Sequence, residues 1–440
     1  MRRVATAVAV AAVLAGCAVG GPGLPSPEMT GTLPTGRVAD AGPSDAEAPR
    51  AGQAKSGRSS AGQSGGGQAK GGRAKVAMLL PLSGPGQLAV VAKAMKQAGE
   101  MALFEGSNPE FQLTVKDDRG TPEGAKAAAA EAVRDGAELI LGPLLAGSVD
   151  AAAPIAAAAG VPVVAFSNDR RVARPGVYLL SFMPEQDVER IVAYAAAQGR
   201  RNFAALLPDD AYGRIAEQAF TRAVAATQGN VVALERYQRS GAGMLDATRK
   251  LGETLSSAVS SDAPVAAAAD ALFMPGEPET LSSLGPLLAY ARIDASRIKL
   301  LGTGGWDTPN LGRDQTFVGA WYPAPDQRGW QDFSEKFAKT FGTTPPRIAT
   351  VAFDAVGVAV TLAANPAATR FTAAGLTRQS GFTGADGAVR FQADGTAMRA
   401  LAVLEVQAFG SNVVDPPSGQ ATPAQGAPQS QAAARPAQVN

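Results

Sequence analysis

The sequence predicts an α/β protein with parallel sheets that are covered by helices and divided into two lobes. Between Lys75 and Gly410, short apolar runs alternate with longer stretches whose apolar residues recur at helical spacing. This alternation is typical of parallel strands joined by helices. The region is 336 residues long, and a single hydrophobic core rarely extends over so many residues. Two lobes are therefore expected.

The first half of this region predicts five strands with helices between them. Its apolar runs are Val76–Leu80, Phe111–Val115, Glu138–Leu141, Val161–Phe166 and Val177–Phe182. Helical spacing follows the first run, an alanine-rich helix is predicted from Pro122, and a third helix from Ser148 to Ala159. Gly160 and Pro162 then supply the residues that commonly end a helix and begin the next element.

The same alternation restarts after Pro184. The predicted strands of this half are Asn202–Leu207, Val231–Leu234, Ala271–Met274, Ile298–Leu301 and Phe317–Trp321. One helix is predicted from Tyr212 and a late one from Arg347 to Ala363, and a hairpin-like segment runs from Phe382 to Phe409.

The chain begins like an exported protein. Residues 1–3 include two arginines, residues 4–14 form a short apolar run, and small residues precede Cys17, as in an export signal. The run is shorter than the roughly 20 apolar residues that span a bilayer. The ending Leu14-Ala15-Gly16-Cys17 resembles the lipobox of bacterial lipoproteins. In that class, cleavage leaves the cysteine as the lipidated first residue. An ordinary cleaved signal with an incidental cysteine is the alternative.

The two flanks of the central region have a different composition. Residues 18–74 are rich in Gly, Pro, Ser, Ala and Gln, and residues 411–440 have the same character. Such stretches bury too little apolar surface to offset the entropy of ordering, so a disordered tether and a disordered tail are predicted. Ala18, rather than Asp, after the lipid acceptor favours the outer membrane in systems with enteric-like sorting.

Composition excludes several classes of function. The chain has no histidine and a single cysteine, so Ser-His-Asp and Cys-His catalysis and His-bearing metal sites are absent. A formal charge of +1 provides no electrostatic surface for nucleic acid. The acidic pairs Asp117-Asp118 and Asp209-Asp210 directly follow predicted strands, where such residues commonly cap helices. No nucleophile or phosphate-loop motif accompanies them. An enzyme is not expected, and no cofactor or metal is implied.

Two stretches resemble the type I periplasmic-binding fold, in particular its leucine-binding-protein-like group. They are residues 139–144 with 161–167 (LILGPL and VPVVAFS) and residues 381–399 (GFTGADG to Arg399). The likeness extends over about residues 75–409 and includes the lipoproteins known as penicillin-binding protein activators. The fold implied has two Rossmann-like lobes, joined by three crossovers, with a ligand cleft between them.

The resemblance places the crossovers near Met183-Pro184, Ala324-Pro325 and Ser380. The lobes implied are residues 75–183 with 326–380, and residues 184–325 with 381–410. Open α/β sheets bind ligands beyond the carboxyl ends of their strands, and helix N-termini there offer free N–H groups to a carboxylate.

Eight residues after predicted strands are therefore expected to bind the ligand. They are Ser83, Ser148, Ser167, Asn168, Tyr212, Gly276, Trp306 and Asp307. Ser83 follows the first strand, and a plain strand-to-helix turn is its alternative. Ser148 could instead cap its helix, and Asn168 could form a turn with its own backbone. Tyr212 matches the aromatic residue that covers the ligand in this family, and core packing is the alternative.

The loop Gly302–Asp307 follows another predicted strand. Its glycines permit close backbone approach, Trp306 offers an apolar face, and Asp307 is expected to hold a ligand ammonium. A helix-capping role for Asp307 is equally open. Ala146 and Gly147 depart from the amino-acid binders, which tend to carry hydroxyls in that loop.

The expected function is that of a lipid-anchored solute-binding protein at the periplasmic face of a bacterial membrane. Its partners would be a small amino-acid-like ligand, an ABC permease and, through Cys17, the lipid membrane. The alternative is a penicillin-binding protein activator-like lipoprotein that regulates a cell-wall synthase by protein–protein contact. The long tether and the missing hydroxyls favour this alternative, whereas the general resemblance favours solute binding.

Overall fold

The computed structural model describes residues 72–106, 108–260, 268–325 and 327–417. The predicted signal, the lipid acceptor Cys17, the tether up to residue 71 and the tail from residue 418 lie outside the described residues. Of the described helices, none combines the length and the apolar character that a membrane crossing requires.

The first lobe is built on a five-stranded parallel sheet in the order β2-β1-β3-β4-β5. The strands are β1 (Ala74–Leu80), β2 (Phe111–Asp117), β3 (Leu139–Leu141), β4 (Val163–Ala165) and β5 (Val177–Leu179). The connecting helices are α1 (Gln87–Gly106), α2 (Pro122–Arg134) and α3 (Ala146–Ala158). Strand β1 begins one residue before the predicted start of the folded region.

Alanine-rich faces explain how α2 and α3 pack on this sheet. Ala129 of α2 and Ala152 of α3 are fully buried and share one core cluster with Ile140 of β3. The start of α2 is set by Thr121, whose hydroxyl accepts the Gly124 N–H at 3.0 Å, and by Pro122 in the first turn. The small alanine side chains let both helices lie close to the sheet.

The second lobe carries a seven-stranded sheet in the order β15-β14-β10-β9-β8-β6-β7. Its parallel strands are β6 (Asn202–Pro208), β7 (Asn230–Tyr237), β8 (Ala271–Phe273), β9 (Lys299–Leu301) and β10 (Trp321–Ala324). Two late strands, β14 (Ala402–Val406) and β15 (Ser411–Asp415), add to it in antiparallel fashion. Its helices are α4 (Pro184–Ala197), α5 (Ala211–Ala226), α6 (Gly241–Ser260) and α7 (Pro278–Tyr290).

The segment between β10 and β14 returns to the first lobe. It contains α8 (Gln327–Phe341), α9 (Ala349–Ala363), α10 (Ala373–Leu376) and a small antiparallel sheet of β11 (Phe382–Gly384), β12 (Gly387–Phe391) and β13 (Ala397–Arg399). Helix α8 packs through Phe333 and Phe337 on α1. Phe391 and Val356 belong to the same core cluster as Met78 of β1.

This packing corrects the predicted position of the third crossover. The prediction places the return to the second lobe near Ser380, but Phe382, Val389 and Phe391 bury their side chains in the first-lobe core. Leu404 of β14, in contrast, belongs to the second-lobe core. The crossover therefore lies between β13 and β14, because the apolar residues of the small sheet fit the first core.

Two further boundaries differ from the prediction. Phe317 ends a short 3₁₀ turn (Gln315–Phe317), and the strand predicted from it begins only at Trp321. The turn forms because Asp314 accepts the Thr316 N–H at 2.9 Å, while the buried Phe317 ring meets the Trp306 ring edge-on. The tail predicted from Ser411 instead starts with β15, which pairs with β14.

Candidate functional site

A cavity of about 360 Å³ lies between the two lobes. It is lined by Asn168, Phe182, Pro184, Asp187, Tyr212, Glu277, Pro278, Gly304, Gly305, Asp307, Pro325 and Arg347. Most of these residues follow the carboxyl ends of β4, β5, β6, β8, β9 and β10. This is the place where open parallel sheets bind ligands, so the cavity is the candidate site.

On the second-lobe side, Asp187 lies against the loop that follows β9. Its Oδ2 accepts the Gly304 N–H at 2.8 Å, and a Cβ at Gly304 would lie 3.0 Å from that oxygen. Burial raises the pKa of Asp187 to about 7, and the nearby Glu185 contributes in the same direction. A glycine at this position therefore lets the carboxyl group reach the backbone of the loop.

Tyr212 and Glu277 complete the same wall. The Tyr212 hydroxyl and Thr303 Oγ1 are 3.0 Å apart and share a hydrogen bond. Burial raises the pKa of Tyr212, and the negative charges of Asp187 and Glu277 raise it further, so the phenol stays neutral. Burial also raises the pKa of Glu277, and Glu279 adds to the effect.

Asp307 lies where the two lobes meet. Its Oδ1 accepts a hydrogen bond from Gln327 Nε2 at 2.8 Å and one from the Tyr322 hydroxyl at 3.3 Å. Its Oδ2 is 3.8 Å from Arg347 Nη1. Gln327 begins α8, and Arg347 precedes α9, so both belong to elements packed on the first lobe. Asp307 thus already uses both oxygens in contacts across the cleft.

Arg347 provides the positive charge of the first-lobe wall. Its Nη2 is 2.7 Å from Asp386 Oδ1, an ion-pair contact without the alignment of a hydrogen bond. The guanidinium carbon lies 4.7 Å from the Trp330 ring centre and 5.8 Å from that of Phe182, within the range of cation–π attraction. Two carboxylates and two rings therefore surround this one cation.

Beneath Arg347 lies a second ion pair that is almost wholly buried. Arg399 Nη1 is 3.3 Å from Asp354 Oδ2, and the two side chains are 3% and 1% exposed. Asp354 Oδ1 also accepts the Ala385 N–H at 2.6 Å. A Cβ at Gly384 would lie 2.1 Å from the same oxygen, which explains the glycine in that turn. These groups connect the small antiparallel sheet to α9.

Three of the eight predicted ligand residues line the cavity, namely Asn168, Tyr212 and Asp307. Ser83 instead donates its backbone N–H to Asp117 Oδ1 at 3.2 Å. Ser167 is buried, and its hydroxyl accepts the Asp169 N–H at 3.1 Å. Gly276 is buried beneath the loop that follows β9. Its carbonyl oxygen is so close to Gly305 that a Cβ added at Gly305 would lie only 2.7 Å away. Glycine at Gly305 is required for that packing.

Trp306 and Ser148 correct the prediction more strongly. Trp306 is fully buried, its Nε1 donates to the Met274 carbonyl at 3.0 Å, and its ring packs in the second-lobe core. The indole therefore offers no face to the cleft. Ser148 is the third residue of α3 rather than its cap, and among the described residues its buried hydroxyl has no hydrogen-bond partner.

Sequence reasoning misses Asp187, Glu277 and Arg347. Glu277 directly follows Gly276, the residue predicted to bind the ligand at this strand end. The prediction is therefore displaced by one residue from the side chain that lines the cavity. Asp187 lies inside the first turn of α4, where an acidic residue is ordinarily attributed to the helix dipole. Arg347 lies between two helices and carries no strand-end signal.

At least one member of each acidic pair acts as a turn or helix cap. Asp210 accepts the Gly213 N–H at 2.9 Å at the start of α5 and pairs with Arg239 at 2.8 Å. Asp118 accepts the Gly120 N–H at 2.8 Å, and burial raises its pKa to about 6. Within the described ranges, no group of acidic or other ligating side chains is arranged to hold a metal ion.

Two parallel-sheet lobes with a lined cavity between their strand ends define a two-lobed solute-binding protein. The family model of the periplasmic binding proteins matches residues 73–412. The chain belongs to this family, in its type I, leucine-binding-like group. Members are extracytoplasmic solute-binding proteins rather than enzymes. The predicted fold and family are thereby confirmed. No curated protein matches the sequence.

Solved structures share the fold. A putative branched-chain amino acid ABC transporter from Rhodospirillum rubrum matches with a TM-score of 0.65 at 18% identity, over 78% of this chain and 100% of that one. A leucine binding protein from Thermotoga maritima gives 0.53 at 18%, over 77% and 97%. An R. palustris solute binding protein in complex with benzoate gives 0.55 at 17%, over 79% and 98%. Because the identities are low, these likenesses establish the fold and not the ligand.

Proposed function

We propose that this protein is a lipid-anchored solute-binding protein that closes its cleft on a small amino-acid-like ligand and delivers it to an ABC permease. The observation that carries the proposal is the cavity between the lobes, which has a cationic and aromatic wall on one side and an acidic wall on the other. Its volume of about 360 Å³ is near the lower end of ligand pockets, which span roughly 300–1,000 Å³. A small polar ligand fits this site.

The anchoring part of the proposal rests on the lipobox-like ending at Cys17. The lipidated cysteine would hold the protein at the periplasmic face of a bacterial membrane, and Ala18 favours the outer membrane. Cys17→Ser should leave the protein soluble or with its signal uncleaved, as judged by fractionation and by mass. A Cys17→Ser variant that is processed and membrane-bound like the wild type would contradict the anchor.

A thermal-shift screen of the full chain tests the ligand part. Free amino acids, short peptides and aromatic carboxylates are each added at millimolar concentration, and calorimetry follows on any compound that raises the melting temperature. A ligand present at 100 times its Kd stabilises the folded state by about 2.7 kcal/mol, so a true ligand is readily seen. If no compound raises the melting temperature of a folded sample, the solute-binding proposal fails.

One observation favours the alternative regulatory function. Asp307, Gln327 and Arg347 connect the two lobes through the chain's own side chains, so the lobes are held together without a ligand. A body of this kind could contact a cell-wall synthase as a fixed surface. Co-purification with a synthase, together with the absence of permease and ATPase genes beside this one, would support regulation. Neighbouring permease and ATPase genes would support import.

A further inference from the structure

The acidic wall of the cavity carries carboxyl groups that no cation of the described residues neutralises. Asp187 and Glu277 both line the cavity, and neither forms an ion pair with any residue in the described part of the chain. Arg239, whose charge lowers the pKa of Glu277, pairs through Nε with Asp210 at 2.8 Å and donates from Nη1 to the Thr280 hydroxyl. Its charge is thus shared with another carboxylate.

The two carboxylates flank one short turn. A Cβ at Gly304 would be 3.0 Å from Asp187 Oδ2, and a Cβ at Gly305 would be 3.5 Å from Glu277 Oε2. With glycine at both positions, the turn itself places no side chain against either carboxyl group. Tyr212, which also lines the cavity, lies close enough to both carboxyl groups for their negative charges to raise its pKa.

The opposite wall does not supply the missing positive charge. Arg347 is already in contact with Asp386 and faces Asp307. Asp307 in turn has its other oxygen occupied by Gln327 and Tyr322. Arg347 is therefore in contact with two carboxylates, those of Asp307 and Asp386. The described lining of the cavity has an excess of negative charge. A ligand that brings positive charge would balance this excess and favour the ionised form of both carboxyl groups.

We infer that the cleft selects a small amine of net positive charge, such as a diamine or a basic amino acid, with its ammonium held between Asp187 and Glu277. This inference rests on the proposed solute-binding function and names the class of its ligand. A zwitterionic aliphatic amino acid would bring one charge of each sign, and an aromatic carboxylate would bring only a negative one. Both leave the acidic wall unbalanced.

Isothermal calorimetry on the full chain tests the inference with four probes: 1,4-diaminobutane, lysine, leucine and benzoate. The variants Asp187→Asn and Glu277→Gln each remove one charge, and the amide introduced by Asp187→Asn retains an oxygen that can accept the Gly304 N–H. Their matched controls are Glu189→Gln on the same helix as Asp187 and Glu279→Gln two residues beyond Glu277, since neither control residue lines the cavity. Thermal unfolding of every variant checks that it is folded.

We expect 1,4-diaminobutane or lysine to bind at least ten times more tightly than leucine or benzoate. Each cleft variant should weaken that binding by about 10-fold or more, the loss expected for a charge-assisted hydrogen bond, while the controls bind like the wild type. Tighter binding of leucine or benzoate, or amine binding that neither cleft variant weakens, would overturn the inference and leave the solute-binding proposal standing. Folded protein that binds none of the four would overturn the inference, and failure of the wider screen as well would overturn the proposed function.

Discussion

The two walls of the cleft carry their charges in different ways. On the first-lobe side, Arg347 and Arg399 are each placed against buried carboxylates, Asp386 and Asp354. On the second-lobe side, Asp187 and Glu277 face the cavity without a cationic partner among the described residues. The difference suggests that charges on the first wall hold the structure together, whereas those on the second wall are available to a ligand. Three substitutions test this contrast.

The largest effect is expected from Arg399→Met. Because Asp354 would be left buried without its cationic partner, the free energy of unfolding should fall by about 3–5 kcal/mol. Chemical denaturation of the purified protein measures the loss. The control is Arg390→Met on neighbouring β12, whose side chain makes long contacts to Gln379 and Met398. That change should stay within about 0.5 kcal/mol, and equal losses for the two variants would contradict a structural role of the buried pair.

A smaller effect of opposite sign is expected from Asp187→Asn. The folded-state pKa of Asp187 is raised from 3.8 to about 7, so the folded state binds the proton more tightly than the unfolded state does. Stability from this group is therefore complete below about pH 4 and is lost as the pH rises to about 7. Since Asp187 is partly exposed, we expect the variant to gain about 1–2 kcal/mol over the wild type across that range.

Denaturation of both proteins at pH 4, 5.5 and 7.5 measures this gain. The expected pattern is near equality at pH 4 and a more stable variant at pH 7.5. Glu189→Gln, an exposed position on the same helix, serves as the control. A variant that is less stable than the wild type at pH 7.5 would show that the Asp187 charge supports the fold.

The smallest effect on stability is expected from Asp307→Asn. Asp307 is 16% and Arg347 is 27% exposed, and their charges are 3.8 Å apart, so the loss should be below about 1 kcal/mol. Its signature is instead a shift toward the open state, because an ion pair between the lobes is removed. Small-angle scattering should show a larger radius of gyration for Asp307→Asn than for the exposed control Asp332→Asn. An unchanged radius would contradict the bridging role of Asp307.

The sequence predicts the fold well where local pattern decides it. Alternating strands and helices identify the two lobes, and the strand-end rule locates the cleft through Asn168, Tyr212 and Asp307. It misplaces Trp306 because a loop aromatic looks alike whether it faces a ligand or fills a core. Only the packing of its ring against Phe317 decides.

Long-range packing accounts for the other failures. The sequence around Phe382 and Phe391 does not indicate which lobe they pack in. In the structure both rings are buried in the first-lobe core, where they cover apolar surface. Asp187 reaches the cleft from α4 and Arg347 from the segment before α9, by the way these helices cross the sheets. The spacing of residues in the sequence does not predict how these helices cross the sheets.

The second-lobe sheet has a consequence for the order in which the chain folds. Strand β10 takes one of its two partners, β14, from beyond the entire intervening stretch 325–401. Until β14 is available, one edge of β10 has no strand to bond with. Such distant pairing slows folding, and here it delays completion of the second lobe until the chain is present almost to its last described residue.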